Sequence, residues 1–505
     1  MATIEALARP RIRLSAGLLR ALDADLSRPL PFAALGAVFL LLRAPFLGYG
    51  HGTDPDAWRV ALTAHELLDK GRYFPSRLPG NPLHELVMTP LVAGGWIATN
   101  LATALVSLVG VYLFARIARR LRLPNAGLVT VGFAFAPLLF INSIATMDYM
   151  WTLTAVLAAY YATLNGMPLA AGLCLGLAMG FRLQSFIVWA PLAYLLWHQR
   201  PEPRRLLAFS FAAGGTALLA FSPVLAVYGL DFYNFYDAKV EPQDVIRLLG
   251  KEALGVSGGL AILVAAGFSL RRLAALPRDA LREPQTGAWL ALIGLYFLTF
   301  FRLPHEIAYL VPVFPFGLFL MARYFQRMAL LGAVAVLLLA GYVDITTPVD
   351  TFDLQTLRHA TLGRGLILSN ADTMSGQRDF VEEVARAEVP NRSVVMAGFV
   401  FPQLAVRERG RLQSRILEKD YEAISMLSDR GEAVDAQRDV RYVWLLTYEA
   451  FIALRSQGYS MFLVPDASGG TAALYEYRPT LFGATYLPLD RPSPTAGKGT
   501  ASTDR

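Results

Sequence analysis

The sequence has almost no cysteine and little charge. Cys174 is the only thiol in 505 residues, so no intramolecular disulfide and no cysteine-based metal site can form. In its apolar stretch it reads as a small hydrophobe. Asp, Glu, Lys and Arg together make up 17% of the chain, where a soluble protein of this length carries about a quarter. There is no GxGxxG or Walker motif, which removes the usual phosphate cradles of nucleotide enzymes. No internal repeat is present. The first 28 residues are basic but lack the short apolar core and small-residue cleavage site of a secretory signal peptide. The net charge of +7 comes without a basic stripe or binding motif, so nucleic acid is not expected as a partner.

What the chain has instead is grease in long runs. Residues are 55% hydrophobic and the mean hydropathy is +0.42. Uncharged stretches cover 86–115, 123–147, 149–181, 206–230, 253–270 and 284–301, most of them reaching the roughly 18 residues that read as a membrane span. In lipid such segments must be helices, because each backbone N–H and C=O needs an internal partner. The first span, 30–49, reads as a retained signal anchor.

Arginine placement sets the topology. Arg116, Arg119, Arg120 and Arg122 form one cluster, Arg200, Arg204 and Arg205 a second. Arg271, Arg272, Arg278 and Arg282 form a third, and Arg323 with Arg327 a fourth. With the N-terminus inside and about eleven spans, all four fall on the cytoplasmic side. The parity requires 168–197 to be two short helices meeting at Arg182-Leu-Gln184, each too short to cross alone. Irregular backbone at that depth implies a cavity lined by protein or water.

The opposite loops carry the acids and histidines. The first, 50–95, opens with His51-Gly-Thr-Asp54-Pro-Asp56-Ala-Trp-Arg59 and also contains His65, Glu66, Arg77, His84 and Glu85. Within it, Ala57–Lys70 and Pro82–Leu91 read as amphipathic helices. Asp148 falls at the next outside turn and Arg182 at the one after. Asp231, Asp237, Lys239, Glu241, Asp244 and Arg247 lie in the loop 229–252, and Arg302-Leu-Pro-His305-Glu306 closes a later turn. Structural roles compete with functional ones. Asp54 is well placed to cap the following helix, Asp148 to cap the next span, and Arg59 to pair with Asp56 at i, i+3. Arg302 reads as well as an interfacial snorkeller, and His65, Glu66, His84 and Glu85 as polar faces of loop helices. Arg182, alone in an apolar region, needs a partner or water.

After Asp344 the composition becomes that of a soluble domain. Strands are expected at 365–368, 393–399, 442–446, 461–464 and 473–477, with helices over 376–388 and 447–457. Alternation of this kind makes a small α/β layer fold. The tail 491–505 is expected to be disordered. The domains are thus a cytoplasmic segment 1–28, a transmembrane unit 29–345, an extracytoplasmic α/β unit 346–490, and the tail.

The order of these features resembles membrane glycosyltransferases of the GT-C fold, such as the protein O-mannosyltransferases and the aminoarabinose transferase that modifies lipid A. That group shows D-E-A or D-E-x-x-Y before an amphipathic helix, then G-x-Y, then P-P-L. Here the counterparts are Asp56-Ala-Trp-Arg59, the run from His65 to Gly71-Arg-Tyr73, and Asn81-Pro82-Leu83. A late R/K-x-x-H/Y pattern is similar to Arg302–Pro312. The resemblance covers 28–345 and does not reach the C-terminal domain. Asp-Pro-Asp replaces the adjacent acid pair, which leaves open whether Asp54 or Asp56 is the base and whether a divalent metal sits there. No other cofactor is implied. The resemblance implies a sugar donor on a polyprenyl phosphate, a lipid, glycan or protein acceptor, and membrane lipids around the bundle. Asp56, with Asp54 second, would be catalytic. Arg182, Arg302, His305, Glu306, Asp148, Arg77, Glu85 and Lys239 would bind substrate. The expected location is a bacterial inner membrane, with the site facing the periplasm. A lipid-substrate transporter or flippase and a non-catalytic envelope-assembly protein are the other readings.

Overall fold

The computed structural model describes residues 22–230, 245, 247–302, 304, 306–346, 359–416, 431–444, 446–465, 474–480 and 483–488. Helices fill the first two thirds. They are α1 (Pro29–Arg43), α2 (Pro55–Lys70), α3 (Pro82–Leu91), α4 (Gly95–Arg120), α5 (Ala126–Phe135), α6 (Pro137–Asn142) and α7 (Tyr149–Leu164). Next come α8 (Pro168–Phe181), α9 (Trp189–Gln199), α10 (Pro203–Tyr228), α11 (Val256–Phe268), α12 (Pro284–Arg302), α13 (Val313–Tyr324) and α14 (Arg327–Leu339). Proline opens seven of these, where its missing N–H would be unpaired in any case and its fixed φ suits a first turn.

Both loop helices form as the sequence predicts. Helices stand in each apolar segment expected to cross. Among the described residues, four helical stretches are long and apolar enough to cross a membrane alone: Pro29–Phe46, Pro82–Arg120, Pro203–Tyr228 and Pro284–Arg302. The pair Val256–Phe268 and Leu270–Arg282, bent by 74°, makes a fifth if taken together. The remainder are shorter, and the region 168–199 is two of them, broken at Arg182 as the arginine parity requires.

Two local devices hold the bundle. Pro137 breaks the backbone between α5 and α6 and leaves the carbonyl of Ala134 open. Arg43 donates to that carbonyl through Nη2 (2.9 Å), to Phe39 O through Nη1 (3.2 Å) and to Ser143 Oγ through Nε (2.5 Å). Its guanidinium stacks 3.4 Å from the Phe39 ring. A cation 1% exposed is therefore tolerated without a carboxylate. The second device is a glycine seam on α8. A Cβ at Gly172 would stand 2.3 Å from Phe209 O, at Gly176 2.4 Å from Thr216 Cβ, and at Gly180 2.5 Å from Leu83 Cδ1. Small residues four apart let two backbones meet.

Charges divide by end. Asp25 pairs with Arg119 (3.0 Å) and Asp23 with Arg327 (2.7 Å), which gathers members of two arginine clusters at one pole. The acidic loops meet at the other.

Beyond α14, β1 (Val343–Thr346) and β2 (Thr361–Arg364) form an antiparallel ribbon. Asp344 in β1 accepts from Val256 N (2.8 Å), Ser257 N (2.9 Å) and Ser257 Oγ (2.6 Å), capping the start of α11 from a distance. The remaining elements are α15 (Leu366–Arg386), β3 (Ser393–Met396), α16 (Phe401–Arg407), β4 (Gln413–Ile416), β5 (Gly431–Asp435), β6 (Val440–Val443), α17 (Tyr448–Ser456), β7 (Ser460–Leu463), β8 (Tyr475–Thr480) and β9 (Gly483–Pro488). Strand order is β4-β5-β6-β3-β7-β8-β9. β6, β3 and β7 run parallel, with Ser393 opposite Val440 and Ser460. The expected strand at 365–368 is instead the start of α15. Ile367, Ala371 and Met374 recur at helical spacing on its buried face, and that periodicity prevails over the short apolar run.

The C-terminal unit sits on the first-loop helix. Leu62 of α2 joins the core of Val381, Val384, Leu404 and Tyr442, and Val406 packs with Val60, Ala61 and Ala64. Gln377 Nε2 donates to Thr53 O (3.1 Å), and Arg409 pairs with Asp69 (3.2 Å).

Gly176→Leu should push α8 off α10 and lower stability by roughly 1–3 kcal/mol. Gly214→Leu, on α10 where a Cβ meets nothing within 4 Å, should be neutral. Thermal unfolding of the detergent-solubilised protein compares the two, and equal stabilities would show that the seam does not hold the bundle.

Candidate functional site

The site begins with how α2 starts. Asp54 is extended and its Oδ1 accepts from Asp56 N (2.8 Å), the cap expected of it; Pro55 follows, and Asp56 lies in the first turn. The loop before it is stapled to the turn that carries Asp148. Thr146 N donates to His51 O (2.7 Å), His51 Nδ1 meets Thr146 Oγ1 (2.9 Å), and Asn100 Nδ2 donates to Gly50 O (2.7 Å). Trp58 Nε1 closes the loop on Gly52 O (2.9 Å).

A chain of ion pairs then runs across three segments. Arg59 Nη1 is 3.4 Å from Asp56 Oδ1, and Arg77 donates to Asp56 Oδ2. The other nitrogen of Arg77 donates to Asp148 Oδ1 (3.1 Å). Arg182 grips the same carboxylate in two places, Nε to Oδ2 (2.6 Å) and Nη2 to Oδ1 (3.2 Å). Asp148 has a fully buried side chain and makes no side-chain cap; its oxygens go to the two arginines. Arg182 stands at the break after α8 and packs 4.2 Å from the Tyr149 ring and 5.1 Å from Tyr309. Glu85 shapes the loop that carries Arg77. It accepts from Tyr73 Oη (2.5 Å), Ser76 N (2.8 Å) and Ser76 Oγ (2.6 Å).

The carboxylates differ in character. Burial opposes ionisation of Asp56, but Arg77 and then Arg59 outweigh it and hold its carboxyl below the usual range. Burial and the neighbouring Asp56 push Asp54 up to about 6. Glu306, which caps the turn Ile307–Leu310 by accepting from Ala308 N (3.2 Å), is pushed up to about 7 by burial and by Asp54. Below about pH 6, where Asp54 and Glu306 both hold their protons, the three guanidiniums of Arg59, Arg77 and Arg182 face the two carboxylates of Asp56 and Asp148, a balance that favours an anion.

Next to Arg182 a narrow pocket, wide enough for about one water, is lined by Thr152, Gln184, Ser185, Tyr296 and Tyr309. The buried hydroxyl of Thr152 has no hydrogen-bond partner, and those of Ser185 and Tyr296 have at most each other. His84 is also fully buried, with neither ring nitrogen bonded and its ring 5.9 Å from Trp151. These are donors and acceptors left open beside a cation.

The structure thus joins Asp54, Asp56, Arg77, Asp148, Arg182 and Glu306, and sets Glu85 in a supporting layer. Arg302 is exposed at the carboxyl end of α12. Lys239 and His305 lie outside the described residues. Tyr149, Tyr309, Thr152 and Ser185 were not singled out from sequence, since in apolar helices nothing marks them. Among the described residues no group of three His, Cys, Asp or Glu side chains could hold a metal ion. Both oxygens of Asp56 are already met by guanidiniums.

No family model and no curated protein matches the sequence. Among solved structures, the crystal structure of ArnT from Cupriavidus metallidurans bound to undecaprenyl phosphate aligns over 86% of this chain and 93% of that one, at 16% identity and a TM-score of 0.52. The fold is GT-C. ArnT is a lipid A aminoarabinose transferase, and at this identity the likeness extends to architecture alone. The apo state of the same ArnT aligns over the same shares at 15% identity with a TM-score of 0.35. The GT-C assignment agrees with the resemblance read from the first-loop motifs.

Glu306 supplies a test by pH. Its carboxyl is raised in the folded state, so its contribution to stability is complete below its unfolded value and is lost as pH rises through about 7. Asp54 acts the same way through about 6. The wild-type protein should therefore melt lower at about pH 8 than at about pH 5, and Glu306→Gln should shrink that difference. An unchanged difference in the variant would remove Glu306 from the cluster.

Proposed function

We propose that this chain is an inverting membrane glycosyltransferase. It moves a sugar, a hexose or pentose, from a polyprenyl-phosphate carrier to a hydroxyl of a lipid, polysaccharide or protein acceptor. The bundle crosses a bacterial inner membrane about eleven times, and the site faces the periplasm. The observation that carries the reading is the largely buried chain Asp56–Arg77–Asp148–Arg182, two carboxylates and two cations alternating at one pole of a GT-C bundle. The solved ArnT structure that shares the fold holds undecaprenyl phosphate.

In this mechanism the acceptor oxygen attacks the anomeric carbon from the side opposite the phosphate. The C–O bond to the acceptor forms as the C–O bond to the phosphate breaks, and Asp56 takes the acceptor's proton. The carrier leaves as its phosphate, gaining charge that Arg182 and Arg77 are placed to balance. A carboxylate pinned by two guanidiniums is a weak base. A donor phosphate that draws Arg77 toward itself loosens that grip, so Asp56 becomes basic only when substrate is present. Asp54 is the second candidate for the base. Lys239, His305 and Arg302 remain candidates for the donor's headgroup. No step is assigned to a metal at Asp54 and Asp56.

The test is a deletion strain whose lipid, polysaccharide and protein glycans are compared by mass spectrometry. Asp56→Asn should fail to restore the missing glycan, and Arg182→Gln should restore less than about a tenth of it. Full restoration by Asp56→Asn refutes Asp56 as the base. A deletion that changes no glycan refutes the transferase reading.

A further inference from the structure

A bilayer is thicker than the two helices that end beside the C-terminal unit. α14 starts at Arg327, which pairs with Asp23 at the arginine pole. Its 13 residues rise only about 20 Å through a hydrocarbon core about 30 Å thick. α11, its antiparallel neighbour, also has 13 residues. A Cβ at Gly258 would stand 3.1 Å from Leu337, and Gln326 N donates to Ser269 Oγ (2.9 Å) at the arginine end. Roughly 10 Å of lipid depth is therefore left on this side of the bundle beyond Leu339, a residue 63% exposed.

The β1–β2 ribbon begins four residues later, and its two faces differ. Ile345 lies directly opposite Leu362 and Val343 opposite Arg364, so these four side chains share one face. Asp344, on the other face, is buried and bonds the start of α11. The first face is open: Leu362 is 77% exposed, Val343 53%, and Ile345 is half-buried. A two-stranded ribbon is marginal in water unless something covers its apolar side. Strands of four residues reach about 13 Å, a length comparable with the missing depth.

We propose that Val343, Ile345 and Leu362 rest in the extracytoplasmic interface of the membrane, where acyl chains meet headgroups, and that the ribbon anchors the C-terminal unit to lipid. The face continues the lipid-facing side of the two short helices, on which Leu260, Leu263, Val264 and Leu339 are exposed. The interface suits a ribbon better than the hydrocarbon core does, because its open edges keep water for their N–H and C=O groups. Arg364 bonds Asp372 through Nη1 (2.8 Å) and has further donors for a lipid phosphate. The anchor bears on the first loop. Gly365 N donates to Tyr342 O (2.8 Å) and Ile367 N to Gly341 O (2.8 Å), which ties the exit of the ribbon to the end of α14. α15 follows directly, and its Asn370 (3.2 Å) and Gln377 (3.1 Å) hold Thr53, the residue before Asp54. The lipid contact thus sets the height at which the C-terminal unit meets the loop. Only the membrane bundle is needed for this, not sugar transfer.

Spin labels on the full-length protein in lipid nanodiscs decide it. In a Cys174→Ser background, nitroxides are attached at Leu362→Cys and, separately, at Val343→Cys. Arg386→Cys, on the charged and exposed side of α15, serves as the aqueous reference, and Leu263→Cys on α11 as the lipid reference. Both ribbon labels should be reached by oxygen more readily than by a water-soluble nickel chelate. Their oxygen-to-nickel ratio should lie between the two references and at least about threefold above that at Arg386. A ratio at either ribbon position no higher than that at Arg386 places the face in water and overturns the proposal. Exclusion of both reagents from either position shows a protein partner on the face, and overturns it too; dipolar broadening between labels would identify that partner as a second copy.

Discussion

A carboxylate buried at the end of an apolar bundle must be neutralised where it stands, and Asp148 imposes that demand on its surroundings. Both its oxygens are claimed by arginines that arrive from different directions, Arg77 from the first loop and Arg182 from the break in a helix pair. Neither cation is tolerable there without the acid. The long first loop therefore has to fold back over the bundle, and the apolar run 168–199 has to be interrupted at the depth of Asp148. Glu85 does the same job one layer out, fixing the approach of Arg77 through Tyr73 and Ser76. A pair of this kind contributes little net stability against a well-packed apolar alternative. What it supplies is geometry, since only one arrangement of the three segments satisfies every charge.

That geometry gives two aspartates, one residue apart, different work. Asp54 is desolvated and sits beside a charged neighbour, so it holds its proton to a higher pH against the opposing pull of its helix-cap hydrogen bond. Asp56, two residues on, is surrounded by guanidiniums and stays ionised. Helix phase brings about the division: a residue at the cap faces back along the axis, and one in the first turn faces outward to the loop that returns over it.

Much of this was legible in the chain. Loop helices announced themselves by amphipathic spacing and, for the second, a proline start, and the arginine parity required two short helices over 168–197, which is how the backbone runs. Asp54 as a cap and Arg59 as the partner of Asp56 also followed from spacing. Other parts had no local signature. The glycines at 172, 176 and 180 are easily taken for generic membrane composition until the helix they press against is known. Tyr149, Thr152 and Ser185 look like any polar residues in apolar helices, because their meaning lies in a neighbour 30 or more positions away. His84 reads as a solvated face, yet it lies on the covered side of α3 and the ring is buried. In the C-terminal unit, short apolar runs misled where a helix opened at Leu366, since a four-residue window does not separate a period of two from one of 3.6.

Leu62 belongs to the first-loop helix but fills a hole in the core beneath the C-terminal sheet. The sheet is translated some three hundred residues later, so the first-loop helix must wait, with an apolar side chain uncovered, until the distal unit arrives to close over it. The covering unit is thus made after the bundle that it closes. A protein cut between the two units would leave each with an unfilled surface, and a C-terminal unit borrowed from another chain would need its own match for that leucine before it could seat.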